Sequence, residues 1–398
     1  MFSRYLYLSF ILFTFNSHTL SAQPKAALDS ANRLVEQHKY FSAFQLLRKA
    51  DPNDTIPDFV LAKENLLLRY FAQSIMHRLF GLVDLSPDQK VEEIRGKNGS
   101  YTMVNMDIDS VLINLTQKYP GDYRLHKGLG DFYREVELHY GNNWFIPAEQ
   151  LTNKAITHYE KALKLNPGAK EIYPLLGELY LQSGRLEKAA TTLQKAVQSV
   201  PDNGDAHYNL AGAYIQLNLP AKALSEARKA LEIYNDSSWI ADTYYIIVLA
   251  HQALKHSDKA LEAMHKAVDF MPGNIFYRLR YVEMTMELKI PAYKSETQKI
   301  IRQYPDDPRV YNSLAQIYGK ANKTDELINI LRHQAKDFKK SSEAFATINV
   351  FLAQLLLDQN PGEARKYLIE AKSTFQKLKP LNQQALDYID SLLKHLEK

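Results

Sequence analysis

The chain has 398 residues, 45% of them hydrophobic and 24% charged, with no Cys and a formal net charge of +4. That composition can bury a sizeable core and does not suit a disordered chain. Without Cys there are no disulfides, thiol nucleophiles, Cys-based zinc sites or lipid anchor on a cleavage-site Cys, and a weak charge with acids and bases intermixed leaves no nucleic-acid footprint.

Residues 1–22 read as a cleaved secretory leader. Arg4 supplies the positive start, and Tyr5 to Phe15 form an apolar run of 11 residues. Small residues then precede a cleavage point expected after Ala22. The run is too short to cross a bilayer, which takes about 20 residues. No later apolar run reaches that length. The expectation is an exported protein, periplasmic or secreted, with no membrane span and no covalent lipid anchor. The leader resembles those of Gram-negative bacteria.

The next region, 23–122, reads as degenerate helical pairs. The stretch 24–55 carries Ala31, Leu34, Ala43, Leu47 and Ala50 at helical spacing. Residues 57–82 read as one long helix, and 108–120 as its partner, with Leu112, Leu115 and Pro120 in phase. Between them lies an insertion, 83–107. In it Ser86, Pro87, Asp88 and Gln89 form a capping-box sequence that predicts a short helix. Gly96 is placed to end that helix, and Asn98 with Gly99 to make a tight turn.

From residue 123 to 273 a period emerges. Ala155, Tyr159, Ala162 and Pro167 recur as Ala189, Leu193, Ala196 and Pro201, then as Ala223, Ala227 and Ala230, then as Ala260, Met264, Ala267 and Pro272. The first two steps are 34 residues; the third is 37, and residues 235–238 are expected to take up the excess. Offsets of four and seven put these residues on one helical face, and the Pro ends the helix. Each such helix follows another of the form aromatic-x-x-Leu-small-x-x-Tyr: His126, Leu129, Gly130, Tyr133; Tyr173, Leu176, Gly177, Tyr180; His207, Leu210, Ala211, Tyr214.

These residues resemble the tetratricopeptide repeat, a helix–turn–helix unit of 34 residues. The resemblance implies an all-α, right-handed α-solenoid of tetratricopeptide-like repeats with two loop insertions. Residues 170–203 and 204–237 match closely, and 123–169 and 241–273 match well. Degenerate repeats continue through 274–380, and 381–398 reads as a C-terminal capping helix with Leu386, Ile389, Leu393 and Leu396 on one face.

The second insertion, 137–150, interrupts the repeat at 123–169 with the sequence His-Tyr-Gly-Asn-Asn-Trp-Phe-Ile-Pro. Both insertions fall at the turn within a repeat, so they are expected to pack together on one edge of the array. Tyr101, Trp144 and Phe145 are the candidate loop site. No catalytic motif is present, and His251, His256 and His265 do not share a helical face. No cofactor, metal site or enzymatic activity is expected.

The resemblance implies a protein or peptide partner held on the face of the first helices. Spacing assigns that face to Glu171, Glu178, Tyr208, Asn209, Gly212, Gln216, Tyr245, Leu249 and Gln252, with Asp205 and Asp242 at its rim. Some tetratricopeptide domains clamp a terminal carboxylate with Lys, Asn and Arg. Here only Asn209 fits, while Pro174, Glu178, Asp242 and Ile246 occupy the other positions, so a neutral or basic peptide suits better. The sequence-level expectation is a non-catalytic exported scaffold. A small-ligand or glycan binder using the loops, or an accessory subunit of an envelope enzyme or transport machine, is the alternative.

Overall fold

Small residues let the helices approach. Ala155, Ala162, Ala189, Ala196, Ala223, Ala227, Ala230, Ala260 and Ala267 are all fully buried in the computed structural model. Residues 22–340 and 342–397 are described; of the expected leader, 1–22, only Ala22 lies within that span, at the start of the first helix. The fold is an all-α solenoid of helix pairs, with one small sheet.

The chain divides into two compact units, meeting at Arg185 and Leu186. The first contains α1 (Ala22–Glu36), α2 (Tyr40–Ala50), α3 (Pro57–Tyr70), β1 (Gln73–Ile75), β2 (Leu79–Leu82), α4 (Val91–Ile94), β3 (Thr102–Asn105), α5 (Ile108–Lys118), α6 (Tyr123–Tyr140), α7 (Ala148–Leu165) and α8 (Ile172–Gln182). The second contains α9 (Leu186–Ser199), α10 (Gly204–Gln216), α11 (Pro220–Ile233), α12 (Ser237–Ala253), α13 (Ser257–Phe270), α14 (Ile275–Glu287) and α15 (Ala292–Gln303). It continues with α16 (Pro308–Lys320), α17 (Thr324–Gln334), α18 (Glu343–Leu356), α19 (Pro361–Phe375) and α20 (Gln383–His395).

The turns within repeats share one backbone device. His38, Gly184, Asn218, Lys255, Lys289 and Asn322 each take a positive φ just past a first helix. The next amide then reaches back five residues, as in Arg185 N–H to Tyr180 O and Leu219 N–H to Tyr214 O, both 2.8 Å. This Schellman closure satisfies end carbonyls and reverses the chain at a fixed angle. In the second unit, Asn203, Asp236, Asn274, Asp307, Ser342, Asn360 and Asn382 start helices by accepting backbone N–H groups in the first turn.

The first insertion departs from its reading. The helix expected over 57–82 stops at Tyr70, and 73–82 folds as a hairpin. β2 pairs on its other side with β3, giving the antiparallel order β1-β2-β3. The insertion therefore begins at 71, not 83. Nonlocal pairing decides this, because the apolar run at 79–82 becomes the central strand only when 102–105 pairs on its second edge. Phe80 and Leu82 are fully buried on it. Only half of the capping box forms: Gln89 Oε1 accepts from Ser86 N at 3.2 Å and from Ser86 Oγ at 3.0 Å, but the Gln89 N–H goes to the Ser86 backbone carbonyl, and the helix is only Val91–Ile94, with Lys90 at its N-cap. Gly96, at φ 75, follows that helix as expected. Asn98 and Gly99 make no tight turn; the Tyr101 ring lies where a Gly99 Cβ would project.

The second insertion is mostly helix. α6 runs to Tyr140, a 3-10 turn covers Gly141–Asn143 and α7 begins at Ala148, so the irregular break is only 144–147. Likewise, residues 237–238 belong to α12, which starts at Ser237; the three extra residues of that repeat lengthen a helix rather than a loop.

Candidate functional site

α10, α12 and α14 present an aromatic face within the second unit. Tyr208, Asn209, Gly212 and Gln216 lie along α10, and Tyr245, Leu249 and Gln252 along α12, all partly or fully exposed. The structure adds Trp239 on the first turn of α12, Tyr234 just past α11, and Phe276 on α14. Trp239 is 42% exposed and Phe276 48%. These are large apolar side chains that a solvated groove lining has no packing reason to display together.

The rings are interlocked. Trp239 stacks on Tyr234 with centroids 5.5 Å apart and meets Tyr208 edge-on at 5.4 Å. Tyr245 meets Phe276 edge-on at 5.0 Å and Tyr277 at 6.1 Å. Such pairs contribute about 0.5–1.5 kcal/mol each beyond area burial, so the face is rigid before any ligand arrives. Gly204 permits the approach of Tyr234, whose ring lies 2.9 Å from where a Gly204 Cβ would stand.

Two carboxylates sit among these rings. The Tyr234 hydroxyl donates to Asp205 at 2.7 Å, and the Tyr277 hydroxyl donates to Asp242. Among the described residues neither acid forms an ion pair with Lys, Arg or His. Their charge acts on the tyrosines. Burial and then Asp242 push the Tyr208 hydroxyl up. Burial, the bond to Asp205 and the charges of Asp205 and Asp242 push Tyr234 up. Burial and Asp242 do the same for Tyr277.

The face of the first unit is different. Leu61, Glu64, Asp131, Arg134 and Leu175 line a cleft of about 320 Å³. Most of its charges are paired: Arg134 with Glu178 at 3.0 Å, Lys127 with Asp131 at 2.5 Å, and Arg124 with Asp122 at 2.6 Å and with Asp58. Glu178, read from the sequence as a free groove residue, is thus already held, and also accepts from Gln182 at 3.2 Å. Glu171 stands at the N-cap of α8, exposed.

The candidate loop residues do not converge. Tyr101 folds onto its own insertion, its hydroxyl donating to Lys97 O at 3.1 Å. Trp144 is half-buried against Tyr140 at 4.9 Å, and Phe145 packs on Trp144 at 5.1 Å while 70% exposed. The two insertions do meet, at Tyr140. Its hydroxyl lies 3.2 Å from His77 Nδ1 and 3.3 Å from Ser74 Oγ. That contact uses the hairpin at 73–82, which the sequence reading had placed in a helix.

Trp239 was legible in principle. Asp236 followed by two Ser is an N-cap signature, and Asp236 accepts from Ser238 N at 2.8 Å and Trp239 N at 3.3 Å. Reading 235–238 as a loop hid it. Phe276 follows the similar Asn274 cap. Among the described residues, no helix is long and apolar enough to cross a membrane, and no group of three His, Asp or Glu is placed to hold a metal ion.

Comparison with known proteins agrees with the repeat. Residues 148–199 and 175–238 each match a family model described as tetratricopeptide repeat. Over 221 residues the chain is 23% identical to protein O-mannosyl-transferase TMTC3 of Homo sapiens, covering 54% of this chain and 24% of that protein. Over 181 residues it is 28% identical to the type IV pilus assembly protein PilF of Pseudomonas aeruginosa, covering 44% and 71%. The chain thus spans about a quarter of the first relative. It is also similar to the crystal structure of YrrB, described as a tetratricopeptide protein with an unusual peptide-binding site, at 18% identity and a TM-score of 0.40 over 51% of this chain and 96% of that one. Tetratricopeptide arrays are protein-interaction scaffolds, and residues 148–238 carry such repeats.

Proposed function

We propose that this tetratricopeptide-repeat chain is a non-catalytic, exported scaffold that holds an extended segment of a partner protein on the face of α10, α12 and α14. The observation that carries the reading is the run of exposed rings, Tyr208, Trp239, Tyr245 and Phe276, on successive first helices. Rigid aromatic side chains give large contact area at low entropic cost, which is why they dominate binding hot spots. Export rests on the leader sequence at 1–22. The competing reading, a binder centred on the loops, draws on the exposed Phe145.

The test is capture of partners from native envelope extract by the tagged mature chain, read by mass spectrometry. Trp239→Ala with Tyr245→Ala is expected to lose the captured partner, while Trp144→Ala with Tyr101→Ala retains it. The reverse pattern would move the site to the loops. A wild-type chain recovered alone would sink the scaffold reading.

A further inference from the structure

The aromatic face also says what its ligand must carry. Asp205 and Asp242 occupy equivalent positions of adjacent first helices, each beside exposed or half-exposed rings. Each accepts a tyrosine hydroxyl and no cation. In the first unit, by contrast, Glu178 has Arg134 and Asp131 has Lys127. The two aspartates therefore keep a negative field over a surface of π faces. A cation placed there gains from both: a charge-assisted bond to the carboxylate and attraction to the ring face. A carboxylate or phosphate would meet only repulsion.

Resting on the peptide-binding reading above, we propose that the face formed by α10, α12 and α14 selects a basic extended segment, with arginine or lysine side chains seated against Trp239, Tyr208 and Tyr245 and bonded to Asp205 and Asp242. The tyrosine hydroxyls fix one oxygen of each carboxylate and leave the other to the incoming cation. Arginine is favoured over lysine, because its planar guanidinium can stack on a ring while its edge bonds the acid. The positions of the two acids on adjacent repeats set a minimum of two basic residues in the segment.

The test uses a 12-residue peptide of alternating arginine and Gly/Ser, with otherwise identical lysine, glutamine and glutamate versions. The mature chain carries Trp144→Phe, so that intrinsic fluorescence reports Trp239 alone. The arginine peptide is expected to bind at least roughly tenfold tighter than the glutamine peptide, the glutamate peptide not at all, and binding should weaken as salt rises. Asp205→Asn with Asp242→Asn keeps an acceptor for each tyrosine hydroxyl and should erase the preference for arginine; unchanged circular dichroism checks the fold. Equal binding of arginine and glutamine peptides, or indifference to the two Asn changes, would overturn the charge selection. If the glutamine peptide binds equally and Tyr245→Ala, which keeps the Trp239 reporter, abolishes both, the peptide-binding face stands and only its charge preference falls. If no peptide binds, the charge proposal fails, and the partner-capture experiment decides the scaffold reading separately.

Discussion

His77 should make the first unit lose stability in mild acid. Its side chain is fully buried, ringed by Phe71 at 5.5 Å, Phe80 at 5.4 Å, Tyr140 at 5.1 Å and His139 at 5.1 Å. Nδ1 has Ser74 Oγ at 2.9 Å, while Nε2 has no partner in the structure. Burial first, and then His139, lower its pKa to about 3. The unfolded chain takes up this proton near the ordinary value of about 6.5, whereas the folded chain refuses it until about pH 3. The contribution is therefore complete above pH 6.5 and is lost as pH falls through that window. At pH 5 the loss is about 2 kcal/mol, a large part of a typical domain's margin of about 5–15 kcal/mol. His77→Asn is the informative variant, since His77 sits at φ 43, a left-handed conformation that Asn tolerates. It destabilises at every pH by removing the ring, but it removes the titration as well. The assay is urea unfolding at pH 7.5 and 5.0, followed by Trp144 fluorescence in a Trp239→Phe background, because Trp144 packs on Tyr140 beside this cluster. His158, whose pKa is lowered to about 4 by burial and His126, contributes to both proteins and cancels. The stability gap between wild type and variant should narrow by about 2 kcal/mol at pH 5. A gap of the same size at both pH values would refute a desolvated imidazole.

Glu64 carries the opposite sign. Burial and Asp131 push its carboxyl well above the usual range against the pull of Lys127, and Oε1 has no hydrogen-bond partner. Its contribution is complete at low pH and is lost as pH rises through the raised value, so Glu64→Gln should raise the melting temperature at pH 8 and leave it nearly unchanged at pH 4. A Gln variant less stable at pH 8 would contradict this. Gly130→Ala should cost about 1–3 kcal/mol, because the new methyl would lie 2.5 Å from the fully buried Tyr159 ring, itself bonded to Asp131 at 2.6 Å. Chemical denaturation beside Gly121→Ala, where a Cβ meets nothing within 4 Å, makes the comparison; equal small losses would mean that the α6–α7 contact has slack.

What the sequence by itself determined is the periodic part. Ala189, Ala196, Ala223 and Ala230 recur at helical offsets because each second helix must let its neighbours come close, and all four are fully buried. Local patterns of this kind need no knowledge of the rest of the chain. The hairpin at 73–82 was not legible in the same way. Its turn places Met76 and His77 at φ 52 and 43 without the Gly or Asn that announces such turns, and its central strand pairs with residues some twenty positions later. The candidate face divides along the same line. Tyr208 and Tyr245 could be assigned to it from helical spacing alone. Whether an acid on a first helix is spent or free could not. Glu178 is taken by Arg134, 44 residues earlier, whereas Asp205 and Asp242 receive only tyrosine hydroxyls, from 29 and 35 residues later. Helix periodicity is set between neighbours in the chain, but the pairing of a charge is set between neighbours in space, and only the tertiary structure brings those together.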